Sequence, residues 1–538
     1  MEKTTRQAGL FAPLILLVLA QFGISSDTTT VALGAHAVVS QLGGGMADIQ
    51  LLNMIFGMVA GMFMVTGGMM GLIIGWRNNF RLGVLLAFLG ELTMALAPST
   101  VVFIWVGRVL VGLGASFLIP SVLGIVPALY QGQKRIFAYG CVTAGTGAAA
   151  LMPIPFGILL DLAGFRIAFL VMAALFVLIM ILSIRLPLIE RPAIRPKFDK
   201  LGFITCSTGF FFLLTSIACV SICGIIEPLP QAPLVLFGIA PTLPMACLGL
   251  ALLCAFARIE AAKEQRAESP LMPRSFLGTS AARHSLLAVA FGFFLAGAFN
   301  ILVIPYVQMA AGASALEAGL LFACAGAPMV LFAVGVPKVL PSAAAKTVIR
   351  LGYVVGAAGF FVMAWGLSQP AILVPVGIGM FFAGAGVGLV NSHAGNAVAC
   401  SVGEKDVQQS GGIQGTVRDI AHALAAALLG SLLALVLSSV FASGLAEDAV
   451  LSDMTKGQAV ELPSTFTSDA SFQQLLDESD IAKADQEQVL ERYRGARCEA
   501  NQILLVGLGC GVLSLLLFTR SLPGRKRQDD AAADAQSA

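Results

Sequence analysis

Long apolar runs recur along almost the whole chain, each bounded by charged or turn-forming residues. A helix needs about 20 mostly apolar residues to cross the hydrocarbon core of a membrane. Runs of that length predict an all-α membrane protein with fourteen transmembrane helices. The predicted helices cover residues 10–33, 50–75, 80–98, 101–130, 136–160, 165–186, 201–225, 233–257, 284–309, 316–339, 346–367, 371–399, 412–442 and 501–521.

Lysine and arginine are concentrated in every second connection between the apolar runs. Residues 1–9, 187–200, 258–283 and 523–527 are rich in these bases, whereas the alternate short loops contain almost none, with Arg166 as the exception. Basic connections stay on the cytoplasmic side of bacterial membranes. The sequence therefore predicts a multi-pass protein of the bacterial inner membrane, with both termini cytoplasmic.

Composition excludes several classes of function. Hydrophobic residues make up 57% of the chain and charged residues 12%, whereas soluble chains average about 25% charged residues. No basic tract is interleaved with aromatics, so nucleic acid is not an expected partner. No Gly-x-x-x-x-Gly-Lys-Ser/Thr motif and no metal-ligand cysteine spacing occurs. We therefore expect no cofactor, no bound metal and no enzymatic activity.

Two polar linkers divide the chain into three parts. Residues 1–190 are predicted to form an N-terminal six-helix bundle, and residues 191–282 hold the linkers and two inserted helices. Residues 283–538 are predicted to form a C-terminal six-helix bundle with a cytoplasmic tail. Transporters made of paired bundles bind their substrate between the two halves, near the midplane of the bilayer.

One predicted outer loop, residues 443–500, is long and acidic. Within it, residues 472–494 have the pattern of an amphipathic helix. One interpretation is a solvated spacer. The other is a docking surface for a periplasmic adaptor and an outer-membrane channel.

Motifs in several helices occur together in one order. Helix 1 reads SSDTTTVALG around Asp27, helix 4 reads VGRVLVGLGASFLIP around Arg108, and helix 5 reads AALMPIPFGILLDLAGFR with Pro153, Pro155 and Gly157. Further segments are FDKLGF at 198–203, SPLMPRSF at 269–276, GASALEAGL at 312–320 and SGGIQGTVRDIAHALAAALLG at 410–430.

Together these motifs resemble the major facilitator superfamily, in its fourteen-helix drug:proton antiporter branch. The resemblance covers residues 10–520 and implies two six-helix bundles plus two inserted helices. It also implies proton coupling through the helix-4 arginine, and antiport rather than uptake through the helix-5 proline–glycine motif.

The cytoplasmic loops depart from the family pattern. Between helices 2 and 3 the chain reads GLIIGWRNNFRLG, with Gly75 where the family has an aspartate that helps to latch the gate. Arg77 and Arg81 remain, and the resemblance implies a gating role for them. Arg418 and Asp419, which open helix 13, are interpreted as a cytoplasmic gate or a helix cap.

Three ionisable residues inside predicted spans are candidates for proton coupling: Asp27, Glu91 and Arg108. A charge at the bilayer centre costs about 2.5–3.5 kcal/mol on insertion scales and usually marks a pathway or a pair. Nearby hydroxyls can hydrogen-bond the Asp27 carboxylate, which is interpreted as a proton carrier, an anchor for a cationic substrate or a helix cap. Glu91 is a second protonation site or a protonated packing residue. The alternative for Arg108 is a structural arginine bonded to backbone carbonyls.

Polar residues of the C-terminal half are candidates for substrate binding. Their amides, hydroxyl and imidazole can hydrogen-bond a ligand, and a histidine titrates near neutral pH. The alternative for the histidine is ordinary packing. The candidates are Asn300, Tyr306 and Gln308 in helix 9, and Asn391, His393 and Asn396 in helix 12.

The sequence predicts a proton-coupled antiporter that exports hydrophobic or amphiphilic small molecules by alternating access. Its expected partners are the small-molecule substrate, protons and the lipid bilayer. One alternative is a dedicated exporter of a single secreted metabolite such as a siderophore. The other is a membrane receptor or scaffold that does not transport.

Overall fold

The computed structural model consists of long α-helices joined by short connections. It describes residues 2–43, 46–189, 198–228, 235, 238–266, 271–272, 275–340, 343–402, 407, 410–447, 469–477 and 483–522. In these ranges, fourteen helices are long and apolar enough to cross a membrane, by length and composition. The prediction of a multi-pass membrane protein with fourteen spans is confirmed.

Six helices precede the first linker. α4 contains a π-helical segment, Phe103–Arg108, and a turn interrupts α5 just before Pro153. Near Gly164 the chain passes from α5 to α6, and the φ of 78° there is one that glycine adopts without strain. The six are α1 Glu2–Gln41, α2 Met46–Ile74, α3 Trp76–Leu96, α4 Thr100–Leu129, α5 Gly132–Leu160 and α6 Leu162–Arg185.

Eight further helices complete the set. Two are the inserted helices, α7 Lys200–Cys223 and α8 Thr242–Gln265. The last six are α9 Ser280–Ala310, α10 Ala315–Val339, α11 Ala345–Gly366, α12 Leu373–Ser401, α13 Ser410–Glu447 and α14 Lys483–Ser514.

Several helix bounds differ from the predicted ones for identifiable reasons. α1 continues to Gln41 and α14 already begins at Lys483, because helices extend past the apolar runs that hydropathy detects. α8 begins only at Thr242, not at residue 233 as predicted, with Pro241 at its N-cap. Prolines fit the start of a helix but disrupt its interior. A helix from residue 233 would have to pass through Pro241 and through Gly238, whose φ of 82° is not helical.

The buried side chains form two large hydrophobic cores, one in each half of the chain. The first is built from residues 14–186 with Ala399, and the second from residues 276–522. α7 packs on α8 and also contacts α2 and α13. The inserted pair therefore lies beside the seam between the halves. The predicted domain limit at 190/191 lies outside the described residues, as does the tail after 522.

The two halves meet closely at the predicted cytoplasmic side. There the start of α13 packs on α2 and α4, and α5 packs on α10 and α12. A Cβ placed on Gly411 would lie 2.5 Å from the carbonyl oxygen of Pro120, and one on Gly412 would lie 2.9 Å from the Cα of Gly68. Glycines at these positions let the backbones of the two halves touch.

A polar cluster joins the inserted helices at the predicted cytoplasmic side. Asp199 caps α7 by accepting a hydrogen bond from the Gly202 N–H at 2.7 Å, and it pairs with Lys263 of α8. Burial alone would raise the pKa of Asp199, but hydrogen bonding to its neighbours, first of all from Lys263, outweighs burial and lowers that pKa. The linker is thereby fixed to the end of α8.

The described part of the predicted outer loop 443–500 is helical. α13 runs to Glu447, a short helix covers Asp469–Asp477, and residues from Lys483 onward belong to α14. The amphipathic helix expected at 472–494 is thus two helices. Residues 448–468 and 478–482 of the loop lie outside the described residues.

An aromatic cluster holds these outer segments together. The ring of Phe472 stacks on that of Tyr493 with centroids 4.0 Å apart, and Phe441 meets both rings edge-on. Asp469 also pairs with Arg494 and Arg497. Burial would raise the pKa of Asp469, but the two arginines outweigh it and lower that pKa. We call the end of α13, helix Asp469–Asp477 and the start of α14 the outer cap.

Candidate functional site

An ion pair between Arg108 and Asp27 lies buried among α1, α2 and α4. Arg108 Nη1 and Asp27 Oδ2 are 2.6 Å apart, with 1% and 0% of the side chains exposed. Arg108 Nε also donates to the Leu52 carbonyl at 3.1 Å, and the guanidinium lies 5.0 Å from the centroid of the Phe56 ring. The arginine therefore has three separate sources of stabilisation.

Glu91 of α3 joins this pair. Its side chain is completely buried and interacts electrostatically with both Asp27 and Arg108. As ionised groups, Glu91 and Asp27 Oδ1 have no hydrogen-bond donor. Two carboxyl groups can hydrogen-bond each other only when one of them carries a proton. The acid–arginine cluster, Asp27, Glu91 and Arg108, thus contains two acids and one base.

Close packing of α3 on α4 places Glu91 in the cluster. A Cβ on Gly90 would lie 2.7 Å from the Val111 nitrogen and 2.8 Å from the Gly107 carbonyl oxygen. Only glycine allows so close an approach of the two backbones. The π-helical segment that ends at Arg108 inserts an extra residue per turn, a feature often found at functional sites.

The hydroxyls of Thr29 and Thr30, which could bind the Asp27 carboxylate, donate to backbone carbonyls instead. Thr30 Oγ1 donates to the Ser26 carbonyl at 2.8 Å, and Thr29 Oγ1 contacts the carbonyls of Ser26 and Ala149. Hydroxyls in a helix readily bond carbonyls of the preceding turn. The guanidinium of Arg108 takes the place of these donors.

The proline–glycine motif lies on the helix that connects the halves. Pro153 opens the second part of α5, and Pro155 and Gly157 follow in its first turns. α5 contacts α1 on one side and α10 on the other. A Cβ on Gly326 of α10 would lie 2.7 Å from the Gly147 carbonyl oxygen. The motif therefore sits next to a tight contact between the halves.

The candidates on α12 are buried but have different environments. His393 Nδ1 lies 2.7 Å from Ser392 Oγ, while its Nε2 and the Asn391 Nδ2 have no partner. Asn396 instead accepts a hydrogen bond from Arg135 Nε at 2.8 Å. Asn396 thus ties α12 to α5, and the other two retain free hydrogen-bonding capacity.

The structure separates the candidates on α9 from those on α12. Asn300 Nδ2 donates to the Ala296 carbonyl of its own helix at 3.0 Å. Tyr306 is buried against Cys498 of α14, and Gln308 lies one turn or less from the outer end of α9. The part of α9 that faces Asn391 is at Gly292, where an added Cβ would lie 2.5 Å from Asn391 Nδ2. Since a helix rises about 1.5 Å per residue, the three candidates lie roughly 12–24 Å further along α9.

Arg77 and Arg81 contact the end of α6 within their own half. Arg77 Nη2 donates to the Ile184 carbonyl, and Arg81 Nη2 to the Ser183 carbonyl, each at 3.2 Å. Positive charge at a helix C-terminus is stabilising. In the other half, Arg350 Nε donates to Thr519 Oγ1 at 2.7 Å. The gating role of Arg77 and Arg81 stays a prediction.

Arg418 and Asp419 lie inside the molecule, near the start of α13. The Arg418 guanidinium is 4.8 Å from the centroid of the Phe293 ring, and its Nε and Nη1 have no acceptor. Asp419 faces α2, since a Cβ on Gly61 would lie 3.9 Å from the Asp419 Cβ. The interpretation of Arg418 and Asp419 as a cytoplasmic gate or a helix cap stays a prediction.

Residues 15–426, which are more than half of the chain, match the Major Facilitator Superfamily model. The chain belongs to this superfamily of membrane transporters.

Relatives and solved structures agree with this assignment. The chain is 25% identical over 404 residues to a probable actinorhodin transporter of Streptomyces coelicolor, covering 73% of this chain and 66% of that one. It is 26% identical over 387 residues to a multidrug resistance protein B homolog of Mycobacterium tuberculosis, covering 71% and 68%. It therefore spans about two thirds of the length of each relative. The solved proton:xylose symporter XylE shares the fold, with a TM-score of 0.57, 12% identity and 99% of both chains covered.

Proposed function

We propose that this protein is a proton-coupled antiporter that exports hydrophobic or amphiphilic small molecules by alternating access. The observation that carries the proposal is the acid–arginine cluster, in which two buried carboxyl groups share one guanidinium. The names of the relatives, a transporter of an antibiotic and a multidrug resistance protein, support export of small molecules.

Charge balance within the cluster supplies a proton site. A buried charge needs a partner because desolvation is costly. Arg108 can neutralise one carboxylate, and it contacts Asp27 directly. The neutral form of Glu91 then fits the remaining position, where it can donate a hydrogen bond to Asp27. The resting cluster holds one proton and no net charge.

Arrival of a second proton would change the packing. Protonation of Asp27 removes the attraction that holds α1 to α4 through Arg108. Arg108 is then left as a buried cation without a charged partner. The cluster lies in the last two turns of α3 and the first turns of α4, which face outside in the predicted orientation. Proton entry from outside would thus shift the equilibrium between the two arrangements of the halves in alternating access. Release of the proton to the cytoplasm would restore the Asp27–Arg108 ion pair.

Substrate-driven proton movement in proteoliposomes tests the proposal. A panel of amphiphilic dyes and siderophore-like anions is offered to native protein and to the variants Asp27→Asn, Glu91→Gln and Arg108→Ala. We expect at least one compound to drive proton flux, and each variant to reduce it to the level of protein-free liposomes.

Glu317→Gln is the matched control. Glu317 belongs to a capping box at the exposed start of α10, where glutamine fits as well as glutamate, so flux should be unchanged. Substrate movement without protons, or proton flux that survives all three cluster variants, would contradict the proposal. Ligand binding without any flux would favour a receptor.

A further inference from the structure

The deeply buried arginines among the described residues are Arg108, Arg418 and Arg497, and of these only Arg418 has no hydrogen-bonded counter-ion. Arg108 and Arg418 are 1% and 5% exposed, and each guanidinium lies over a phenylalanine ring, at 5.0 and 4.8 Å. Arg108 pairs with Asp27. Among the ion pairs and hydrogen bonds between described residues, none includes the side chain of Arg418, and its Nε and Nη1 have no acceptor.

The acid next to Arg418 does not fill this gap. Successive residues on a helix are separated by about 100° around its axis. Asp419 accordingly faces α2 at Gly61, whereas Arg418 faces Phe293 of α9. Asp419 still interacts electrostatically with Arg418, but no hydrogen bond or close ion pair between described residues joins the two side chains. Asp419 Oδ2, like Arg418 Nε and Nη1, has no partner.

Polar groups from both halves lie near the Arg418 guanidinium. Tyr139 of α5 is close enough for electrostatic interaction with it, and its hydroxyl donates to the Leu123 carbonyl at 3.3 Å. Gln414, one turn before Arg418, is fully buried with its Oε1 unpartnered. Arg418 is therefore located where α13 and α9 of one half meet α5 of the other.

We propose that Arg418 binds the acidic group of the exported molecule, so that the preferred cargo is an amphiphilic anion. This inference rests on the proposed export function. A guanidinium binds carboxylate, sulfonate or phenolate oxygens through charged hydrogen bonds. The Phe293 ring shields one face of the guanidinium and offers apolar surface to the rest of the ligand.

The charges around the site disfavour the opposite cargo. A cation would have to approach the Arg418 guanidinium, and the Asp27 carboxylate is already occupied by Arg108. An anion instead supplies the acceptors that Arg418 Nε and Nη1 lack among the described residues. Burial without a counter-ion is costly, so anion binding relieves a cost already present in the empty protein.

Three pyrene compounds that differ only in the head group provide the test: pyrenebutanesulfonate, pyrenebutanol and pyrenebutyltrimethylammonium. The sulfonate is permanently charged, so it cannot carry protons across the bilayer as a weak acid does. Binding to purified protein and proton flux in proteoliposomes are measured for each. We expect native protein to prefer the sulfonate, and Arg418→Gln to weaken its binding at least about tenfold.

Two further variants distinguish the effect of the positive charge at Arg418 from a loss of folding. Arg418→Lys keeps the charge but loses the planar donors, so it should retain part of the preference for sulfonate. Lys346→Gln removes a positive charge from the exposed cytoplasmic end of α11 and should leave the preference intact. Thermal unfolding confirms that each variant is folded.

The outcomes distinguish this inference from the proposed function. Proton flux driven equally by all three compounds, or sulfonate binding unaffected in both Arg418→Gln and Arg418→Lys, would overturn the anion site and leave antiport standing. Arg418-dependent binding of sulfonate without proton flux would support the site and contradict antiport.

Discussion

At the scale of single residues, sequence reasoning could select ionisable side chains but not place them together. Asp27, Glu91 and Arg108 stood out because each interrupts an apolar run. Their contact depends on the packing of α3 against α4, and no local sequence pattern shows that packing. Glu91 was interpreted as a second protonation site or a protonated packing residue, and the structure places it beside the other two. The sequence also did not show that Arg418 is buried against Phe293.

The acid–arginine cluster predicts unequal effects on stability. Asp27→Asn leaves Arg108 buried and charged without a partner, which in soluble proteins costs about 3–5 kcal/mol. Glu91→Gln replaces one neutral group by another of similar shape, so we expect a change within about 1 kcal/mol. Thermal unfolding in detergent measures both.

A double variant checks the cause. In Asp27→Asn with Arg108→Met no charge is stranded, so its unfolding temperature should exceed that of Asp27→Asn alone. If Glu91→Gln destabilised as strongly as Asp27→Asn, the assignment of the proton to Glu91 would be wrong.

At the scale of helices, hydropathy found all fourteen spans of the described residues, because the bilayer imposes a length that the composition must satisfy. It did not find the outer cap. Phe441, Phe472 and Tyr493 are widely separated in polar sequence, and only the folded chain brings their rings together.

The contact of α3 with α4 can be tested through one methyl group. A Cβ on Gly90 would lie 2.7 Å from the Val111 nitrogen, whereas one on Gly57 would meet nothing within 4 Å. Gly90→Ala should therefore destabilise by about 1–3 kcal/mol, as overpacking does, and reduce proton flux by displacing Glu91. Gly57→Ala is the matched control. Equal unfolding temperatures for the two variants would contradict the tight contact.

At the scale of the whole molecule, the two halves are electrostatically different. In the first, Arg108 pairs with Asp27 beside the second acid Glu91, whereas in the second the Nε and Nη1 atoms of Arg418 have no acceptor among the described residues. The sequence indicated two bundles and an inserted pair, and the two separate cores agree with this. This electrostatic difference between the halves depends on which buried groups contact one another, and the sequence does not show those contacts.

This asymmetry predicts that transport is electrogenic. Exchange of one monovalent anion outward for one proton inward moves two charges in the same sense. Each charge contributes about 2.3 kcal/mol per 100 mV, so an inside-negative potential should accelerate export of pyrenebutanesulfonate more than that of pyrenebutanol. A potassium gradient with valinomycin in proteoliposomes measures this. Identical voltage dependence for the two compounds would contradict the prediction.

The outer cap has a practical consequence for imaging this protein. α14 continues without a break from its apolar part into the cap, so the cap is fixed in direction relative to the C-terminal half. A transporter of 55.8 kDa offers single-particle microscopy few features outside its detergent micelle. An antibody fragment raised against helix Asp469–Asp477 would supply a rigid landmark for particle alignment.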